Sequence, residues 1–283
     1  MSLLFSILLP TFKGRYLKEC IDSILGQTYD KWELVIVNDA SPEDIDSIVA
    51  SYNDPRIRYY KNARNYGAKQ LVKQWNHCLS LAQGEYVICM GDDDRLIPTC
   101  LETYLNYINR YPDVAIIHGQ TDIIDERGKV VRHTAARPEK ESALSLLYNR
   151  TYHYHHQFVG DFCYKTSLLR AREGYYNLPY AWGSDDISAI QAADNNGIAN
   201  TQQIVFEYRD NSASISRHSY TWGKLYATLL KMIWLWKYLR KPATNSQDES
   251  YRRQLRRGLL YHTCVHCYYI LHNSCIKTKT RHS

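Results

Sequence analysis

No stretch of this 283-residue chain reaches the roughly 18 consecutive apolar residues of a membrane-spanning helix, so no spanning helix is expected within it. Its eight cysteines follow no disulfide-framework spacing, and Cys20, Cys78, Cys89 and Cys100 fall inside predicted helices or strands. That usage points to a reducing compartment. The opening apolar run, Leu3–Leu9, is too short for a secretory leader, has no basic residues before it and runs into Pro10-Thr11. A cytoplasmic location is therefore expected. Internal repeats and low-complexity linkers are also missing, which argues against solenoids and disordered arrays.

The apolar content of 45% is enough to bury a substantial core, and the length fits one domain with an appendage. The net charge of +6 is modest but uneven. Beyond Arg217, basic residues far outnumber the two acids, Asp248 and Glu249, whereas the preceding part is acidic or nearly neutral. Such a tail suits an anionic membrane surface or nucleic acid. No nucleic-acid recognition module accompanies it, so no nucleic-acid partner is expected. Tyrosine is abundant, at 25 residues, with six Trp beside it. Sugar-handling sites use such rings, as do ordinary cores and interfaces.

The most informative stretch is residues 85–98. There an apolar strand ends in three consecutive carboxylates, Asp92, Asp93 and Asp94. Three adjacent like charges repel, and a divalent cation relieves that repulsion. Mg²⁺ or Mn²⁺ prefers hard oxygen ligands and takes one or two carboxylates plus substrate phosphates. Alone, the triplet reads equally as a solvated acidic turn.

Its context favours the site. The first half alternates strand and helix patterns: strands at 3–9, 32–37, 57–60, 85–90 and 114–118, helices at 16–27, 42–52, 68–82 and 98–111. The helix at 42–52 is expected to start near Ser41 as N-cap, with Asp44 three residues on. Alternation of this kind implies a doubly wound, mostly parallel α/β sheet, which binds ligands at the carboxyl ends of its strands. The polar residues gather at those ends: Pro10, Thr11 and Phe12 after the first strand, Asp39 after the second, Asn65 after the third, and the triplet after the fourth. Further on, a hairpin is expected around Arg127-Gly128. A His/Tyr cluster follows at 153–156, read as an acceptor-recognising lid or a structural strand. Asp185-Asp186 opens a helix running to about Asn195. The tail holds an amphipathic segment at 222–239, with Leu225, Leu229, Met232, Ile233 and Trp236 on one side, then a polar break at 242–250 and an Arg-rich, aromatic segment. It reads as an interfacial membrane helix, a packed helix or a dimer contact. Cys264 and Cys267, with His262, His266, His272 and Cys275 nearby, resemble a zinc site only superficially.

Taken together, Ser6 through Phe12, Leu17 through Tyr29, Glu33 through Ser41, Asn62 through Gly67, and Ala82 through Tyr86 leading into Asp92–Asp94 resemble the family 2 glycosyltransferases of GT-A fold. The resemblance spans about residues 3–215, with five motifs in order. It implies a GT-A glycosyltransferase domain at 1–218, its nucleotide-sugar half at 1–118 and its acceptor half at 119–218, with a basic helical tail at 219–283.

The resemblance also implies a site. Asp39 would bind the base, usually uracil, in a pocket lined by Pro10, Thr11 and Phe12, with Asn65 and Gly67 beside the donor. Asp93 would lie near the ribose. Asp92 and Asp94 would frame the metal motif for Mn²⁺ or Mg²⁺, with Asp94 the direct ligand. Asp185 matches the Asp of the family's Glu-Asp motif, which supplies a general base. Because Ser184 replaces the Glu and Asp186 follows, either acid is a candidate base, although a helix N-cap pair is the plainer reading of two such acids. Gly91 stands where the family often has Asp, and Trp75 where it often has Arg, a charge that Lys69 or Lys73 would have to replace. Arg209, Ser214, Ser216 and His218 are expected on a loop after the last strand, which either folds over the diphosphate, as similar loops in this fold do, or is simply solvated.

The expected activity is inverting transfer of one sugar from a UDP-sugar to a glycan or lipid-linked glycan of a bacterial surface polysaccharide, at the inner face of the cell membrane. Processive synthesis is not expected, since neither the Gln-x-x-Arg-Trp motif nor spanning helices occur. The rivals are a nucleotidyltransferase, for which Lys13-Gly14-Arg15 is a faint phosphate loop, and a non-catalytic glycosyltransferase-like protein.

Overall fold

The computed structural model describes residues 3–153, 155–211 and 220–279. Ser214, Ser216 and His218 lie outside them, as does Tyr154 of the His/Tyr cluster. The order is β1 (Phe5–Thr11), α1 (Leu17–Leu25), β2 (Trp32–Asn38), α2 (Ile45–Ala50), β3 (Ile57–Lys61), α3 (Leu71–Leu81), β4 (Tyr86–Cys89), β5 (Arg95–Leu96) and α4 (Cys100–Arg110). Then come β6 (Ile116–Ile124), β7 (Val130–His133), β8 (Lys140–Glu141), α5 (Ala143–Tyr152), β9 (Phe162–Lys165), α6 (Thr166–Ala171), α7 (Ser184–Ala193), β10 (Ile198–Arg209), α8 (Thr221–Tyr238) and α9 (Ser246–Lys279).

One sheet carries the fold, with strand order β3-β2-β1-β4-β9-β6-β10-β5. The first four strands run parallel. β9 lies antiparallel to both β4 and β6, and β10 returns parallel to β6. The alternating direction of side chains along a strand then builds two cores. Phe5, Ile7, Leu9, Leu34 and Ile36 face one side, against Leu17 and Ile21 of α1 and Leu101 and Tyr104 of α4. Leu8, Val35, Val37 and Val87 face the other, against Val72 and Leu79 of α3 and Ile190 of α7. Coverage on both faces explains why these strands read as unbroken apolar runs.

Local signals resolve mostly as expected. The hairpin at Arg127-Gly128 forms, with Asp125 accepting from the backbone N–H groups of Arg127 and Lys129. The α2 N-cap is Asp44, whose carboxylate accepts from Ser47 N. Ser41 is not the cap: its hydroxyl donates to Phe12 O, 2.6 Å away, and so tethers the end of β1. The His/Tyr cluster is not a strand: His153 caps the C-terminus of α5, and His155 and His156 lie in the loop beyond.

The tail is built into the body. Leu235, Tyr238 and Leu239, with Leu255 of α9, are buried in the second core. Burying each large apolar side chain stabilises by about 1.5–3 kcal/mol, so the helices dock firmly. The apolar residues of α8 divide between two faces. Trp222, Tyr226, Leu229, Ile233 and Trp236 point outward and stay exposed. The polar break ends at Asn245, which accepts from Asp248 N, and α9 then runs on without interruption.

Candidate active site

The carboxyl ends of β1, β2 and β4 open into a cleft of about 640 Å³. The sequence-predicted residues Pro10, Thr11, Phe12, Asp39, Asn65, Gly67, Asp92, Asp93, Asp94, Asp185 and Asp186 all line it. Strands that deliver polar residues to one edge and helices that start there make this convergence a consequence of topology.

At the β2 side of the cleft, Asp39 follows the strand and its N–H donates to Thr11 O. Its carboxylate accepts from Asn62 Nδ2 at 2.7 Å and from the backbone N–H groups of Tyr66 and Gly67. It thereby folds the 62–67 loop over the cleft. Trp75, in the position where Arg had been expected, is buried edge-on to Tyr175. Lys73 lies over the Tyr66 ring rather than in the cleft, and Lys69 is exposed and absent from its lining.

The acidic turn is tightly organised. Asp92 Oδ2 accepts from both Phe12 N and Lys13 N at 2.8 Å, which ties the turn to β1. Asp94 accepts from Arg209 N at 2.9 Å and from Gly91 N, and Asp93 accepts from Asn211. Burial, then the neighbouring Asp93, pushes Asp92 up to about 6. The same causes hold Asp94 well above the usual carboxylate range. Gly91 gives these carboxylates room. A Cβ at 91 would meet Asp93 Oδ1 at 2.8 Å and Asp94 Oδ2 at 3.0 Å.

Arg209 is not on a loop. It ends β10 and is buried beneath the turn, where Nε donates to Asp93 O, Nη2 to Glu19, and the guanidinium lies over the Tyr16 ring. It braces the turn from behind instead of covering a diphosphate.

At the opposite wall, α7 begins with Asp185 and Asp186 in its first turn. The two have different surroundings. Asp186 is buried and accepts from Arg150 Nε at 3.0 Å, Gln157 Nε2 at 2.7 Å and Lys231 Nζ. Burial alone would raise it, but Arg150 and Lys231 outweigh that and hold it well below the usual carboxylate range. Asp185 is half-buried in the cleft wall, and burial followed by the charge on Asp186 pushes it up to about 7. Two acids pushed apart in this way take different chemical roles.

Sequence reasoning misses Arg150, Gln157, Lys231 and His266. Lys231 comes from α8 and His266 from α9, so the tail completes the cleft. Trp182 Nε1 donates to His266 Nε2 at 3.1 Å, and Lys224 lies over the Trp182 ring. Tyr180 and Ala181 adopt positive φ, of 60° and 54°, a strained lip beside the acid pair. Tyr180 rests on Gly223 of α8, where any Cβ would sit 1.9 Å from its ring.

The Lys13-Gly14-Arg15 loop offers no phosphate cradle. Lys13 N is taken by Asp92, Gly14 N donates to Glu43, and Arg15 pairs with Glu126. No three His, Cys, Asp or Glu side chains among the described residues converge to enclose a metal. An ion held by one or two carboxylates of the triplet, as expected of Asp92 and Asp94, and completed by substrate phosphates needs no such enclosure.

This sheet and cleft define a GT-A fold, and solved structures share it. Staphylococcus aureus TarS, crystallised with UDP-GlcNAc, superposes with a TM-score of 0.70 at 18% identity, over 92% of this chain and 73% of that one. A mannosyltransferase from Pyrobaculum calidifontis, in complex with GDP-Man and Mn²⁺, gives 0.56 at 17% identity, over 94% and 74%. The model of glycosyl transferase family 2 matches residues 6–171, and the chain belongs to that family. Among curated relatives, the putative glycosyltransferase EpsE of Bacillus subtilis is 28% identical over 74% of this chain and 73% of its own length. The putative colanic acid biosynthesis glycosyl transferase WcaA of Escherichia coli is 32% identical over 56% and 55%. An uncharacterized glycosyltransferase of Rickettsia felis is 34% identical over 46% of this chain, which spans only 21% of that relative.

Proposed function

We propose that this protein transfers a single sugar from a UDP-sugar to a hydroxyl of a glycan or lipid-linked glycan, with inversion, in the assembly of a surface polysaccharide. The observation that carries this reading is the meeting of Asp92–Asp94 and Asp185 in one cleft. The polysaccharide context draws on the names of EpsE and WcaA, and the nucleotide on the UDP-GlcNAc complex of TarS.

Each residue then has a task. Asp39 takes the base and Pro10, Thr11 and Phe12 flank it; Asn65 and Gly67 close over the donor; Asp93 meets the ribose. Asp94 is the metal ligand, and Asp92, the other carboxylate of the motif, fixes the turn to β1. When bound, Mn²⁺ or Mg²⁺ offsets the charge on the diphosphate. Asp185 is the general base. A sugar hydroxyl is a very weak acid, so a carboxylate must take its proton as the new C–O bond forms. Asp186, held by Arg150, Gln157 and Lys231, is the weaker base of the two and positions Asp185.

Among the described residues no helix is long and apolar enough to cross a membrane. The outward apolar stripe of α8, with Lys237 and Arg240 at its end, supports attachment to an anionic membrane face. The proposal is tested by calorimetry of UDP with and without Mn²⁺, followed by NMR of the product. Metal-dependent UDP binding and an inverted anomeric centre support it. A retained anomeric configuration sinks the mechanism.

A further inference from the structure

Gln157 lies on the loop after α5, its side chain buried between the acid pair and Arg137, a residue of the β7–β8 connection. Gln157 Nε2 donates to Asp186 Oδ1 at 2.7 Å, and Gln157 Oε1 accepts from Arg137 Nη2 at 3.4 Å. The same Nη2 donates to His156 O at 3.0 Å, so the guanidinium holds this loop by backbone and side chain together. An amide can sit either way round, with donor and acceptor exchanged. Here one way is favoured. The other would turn Oε1 toward a carboxylate and the NH₂ group toward a guanidinium, which has no acceptor.

We propose that Arg137 is a positioning residue for sugar transfer: it fixes the Gln157 amide with its donor on Asp186, and so holds Asp186 beside the base, Asp185. This inference rests on the sugar-transfer reading and adds to it a residue that does not line the cleft. Three observations separate this role from packing. Arg137 is only 5% exposed, and a guanidinium loses most of its hydration at such a position, whereas an apolar side chain would fill the space without that cost. The core acids do not account for its donors. Asp161 and Glu141 attract it, but Asp161 accepts from Phe158 N and Thr121 Oγ1, and Glu141 from Ser145, Asn149 and Asn200. Among the described residues the side-chain hydrogen bonds of Arg137 go to His156 and Gln157 alone, and its Nη1 is buried without a partner. Finally, of the three donors on Asp186, Arg150 and Lys231 are drawn to it by charge. Gln157 is neutral, so its direction depends on what holds its other end.

The test uses NMR of the full-length protein labelled with ¹⁵N at its glutamine side-chain amides. Gln157→Leu identifies the Gln157 signals, and calorimetry with UDP checks that each variant is folded. In the wild type one Gln157 amide proton should lie downfield, shifted by donation to a carboxylate, and both should exchange slowly with solvent. Asp186→Asn should reduce the shift. Arg137→Met should lose both the shift and the protection. Arg137→Lys keeps one nitrogen that can donate to both oxygens, so it should fall between, and it serves if Arg137→Met does not fold. In acceptor-stimulated release of UDP, Arg137→Met and Gln157→Leu should each lower kcat roughly tenfold or more with the donor KM held. The double variant should be no slower than the worse single one, because one residue acts through the other. Gln157 signals unchanged in Arg137→Met and Arg137→Lys would overturn the proposal. So would losses in kcat that multiply in the double variant. The amide signals need no turnover: the expected signals without any sugar transfer would fault the activity reading alone, and transfer with signals indifferent to Arg137 would fault the positioning role alone.

Discussion

Lys231 and Asp186 form a buried ion pair that joins α8 to the first turn of α7. The pair lies outside the span matched by the family model, residues 6–171, yet it borders the proposed base. Asp186 also receives Arg150 and Gln157. One acid is thereby held fully ionised, and its charge raises the proton affinity of the other.

The first prediction concerns that pair. Lys231→Met leaves Asp186 with one cation instead of two and should cost about 2–4 kcal/mol of stability, read as a lower Tm. Because Lys231 also favours ionised Asp185, the variant's pH–rate limb should move to higher pH while UDP affinity stays unchanged. A shift in KM for the donor alone would contradict the assignment.

Asp185→Asn and Asp186→Asn should differ in kind. Loss of the base should cut transfer roughly 10²–10⁴-fold with UDP binding intact. In Asp186→Asn the like charge beside Asp185 is gone, and Arg150 and Lys231 remain. The limb of kcat/KM, which in the wild type rises through about pH 7, the raised value of Asp185, should then shift to lower pH, and the protein should be less stable.

Stability should respond to pH in the opposite sense to rate. Asp185 holds its proton more tightly folded, at about 7, than unfolded, near the ordinary 3.8 of an aspartate. The folded state therefore loses stability as pH rises from about 4 to about 7. Asp185→Asn removes that cost. Thermal melts should show a gain of about 1–2 kcal/mol above pH 7, reduced by water in the cleft, and none below pH 4.

Gly91→Ala tests the acidic turn without touching a carboxylate. The new Cβ would press on Asp93 Oδ1 and Asp94 Oδ2, so the carboxylates must move. Mn²⁺-dependent UDP affinity should fall, and metal-independent affinity should hold. Equal metal dependence in both proteins would count against Asp94 as the ligand.

Much of this site is legible in the sequence because strand ends are. An apolar run cut off by Asp39, or by Asp92–Asp94, marks both the strand and the edge where its ligand groups emerge. Asp185 and Asp186 are legible as acids opening a helix, but not as unequal. Their difference arises from Arg150, Gln157 and Lys231, which only folding brings together. Lys231 leaves one trace: with Lys224, seven residues earlier, it shares the helix face of Thr228 and Leu235, an inward face where a cation needs a partner. Arg209 reads as a loop residue because nothing local shows that Asp93 O and Glu19 wait beneath the turn. The tail reads as an interfacial helix, a packed helix or a dimer contact, because its apolar residues alone do not say which face is covered. Two apolar faces on one helix are the mark of a helix packed on one side and exposed on the other.

The most direct measurement is acceptor-dependent UDP release from a panel of UDP-sugars, with Mn²⁺ or with chelator, for wild type, Asp94→Ala and Asp185→Asn. The account predicts release from one donor, lost with chelator and in Asp94→Ala, and in Asp185→Asn a loss of the acceptor-stimulated part with UDP binding retained. Full acceptor-stimulated release by Asp185→Asn, or release indifferent to both chelator and Asp94→Ala, would contradict it.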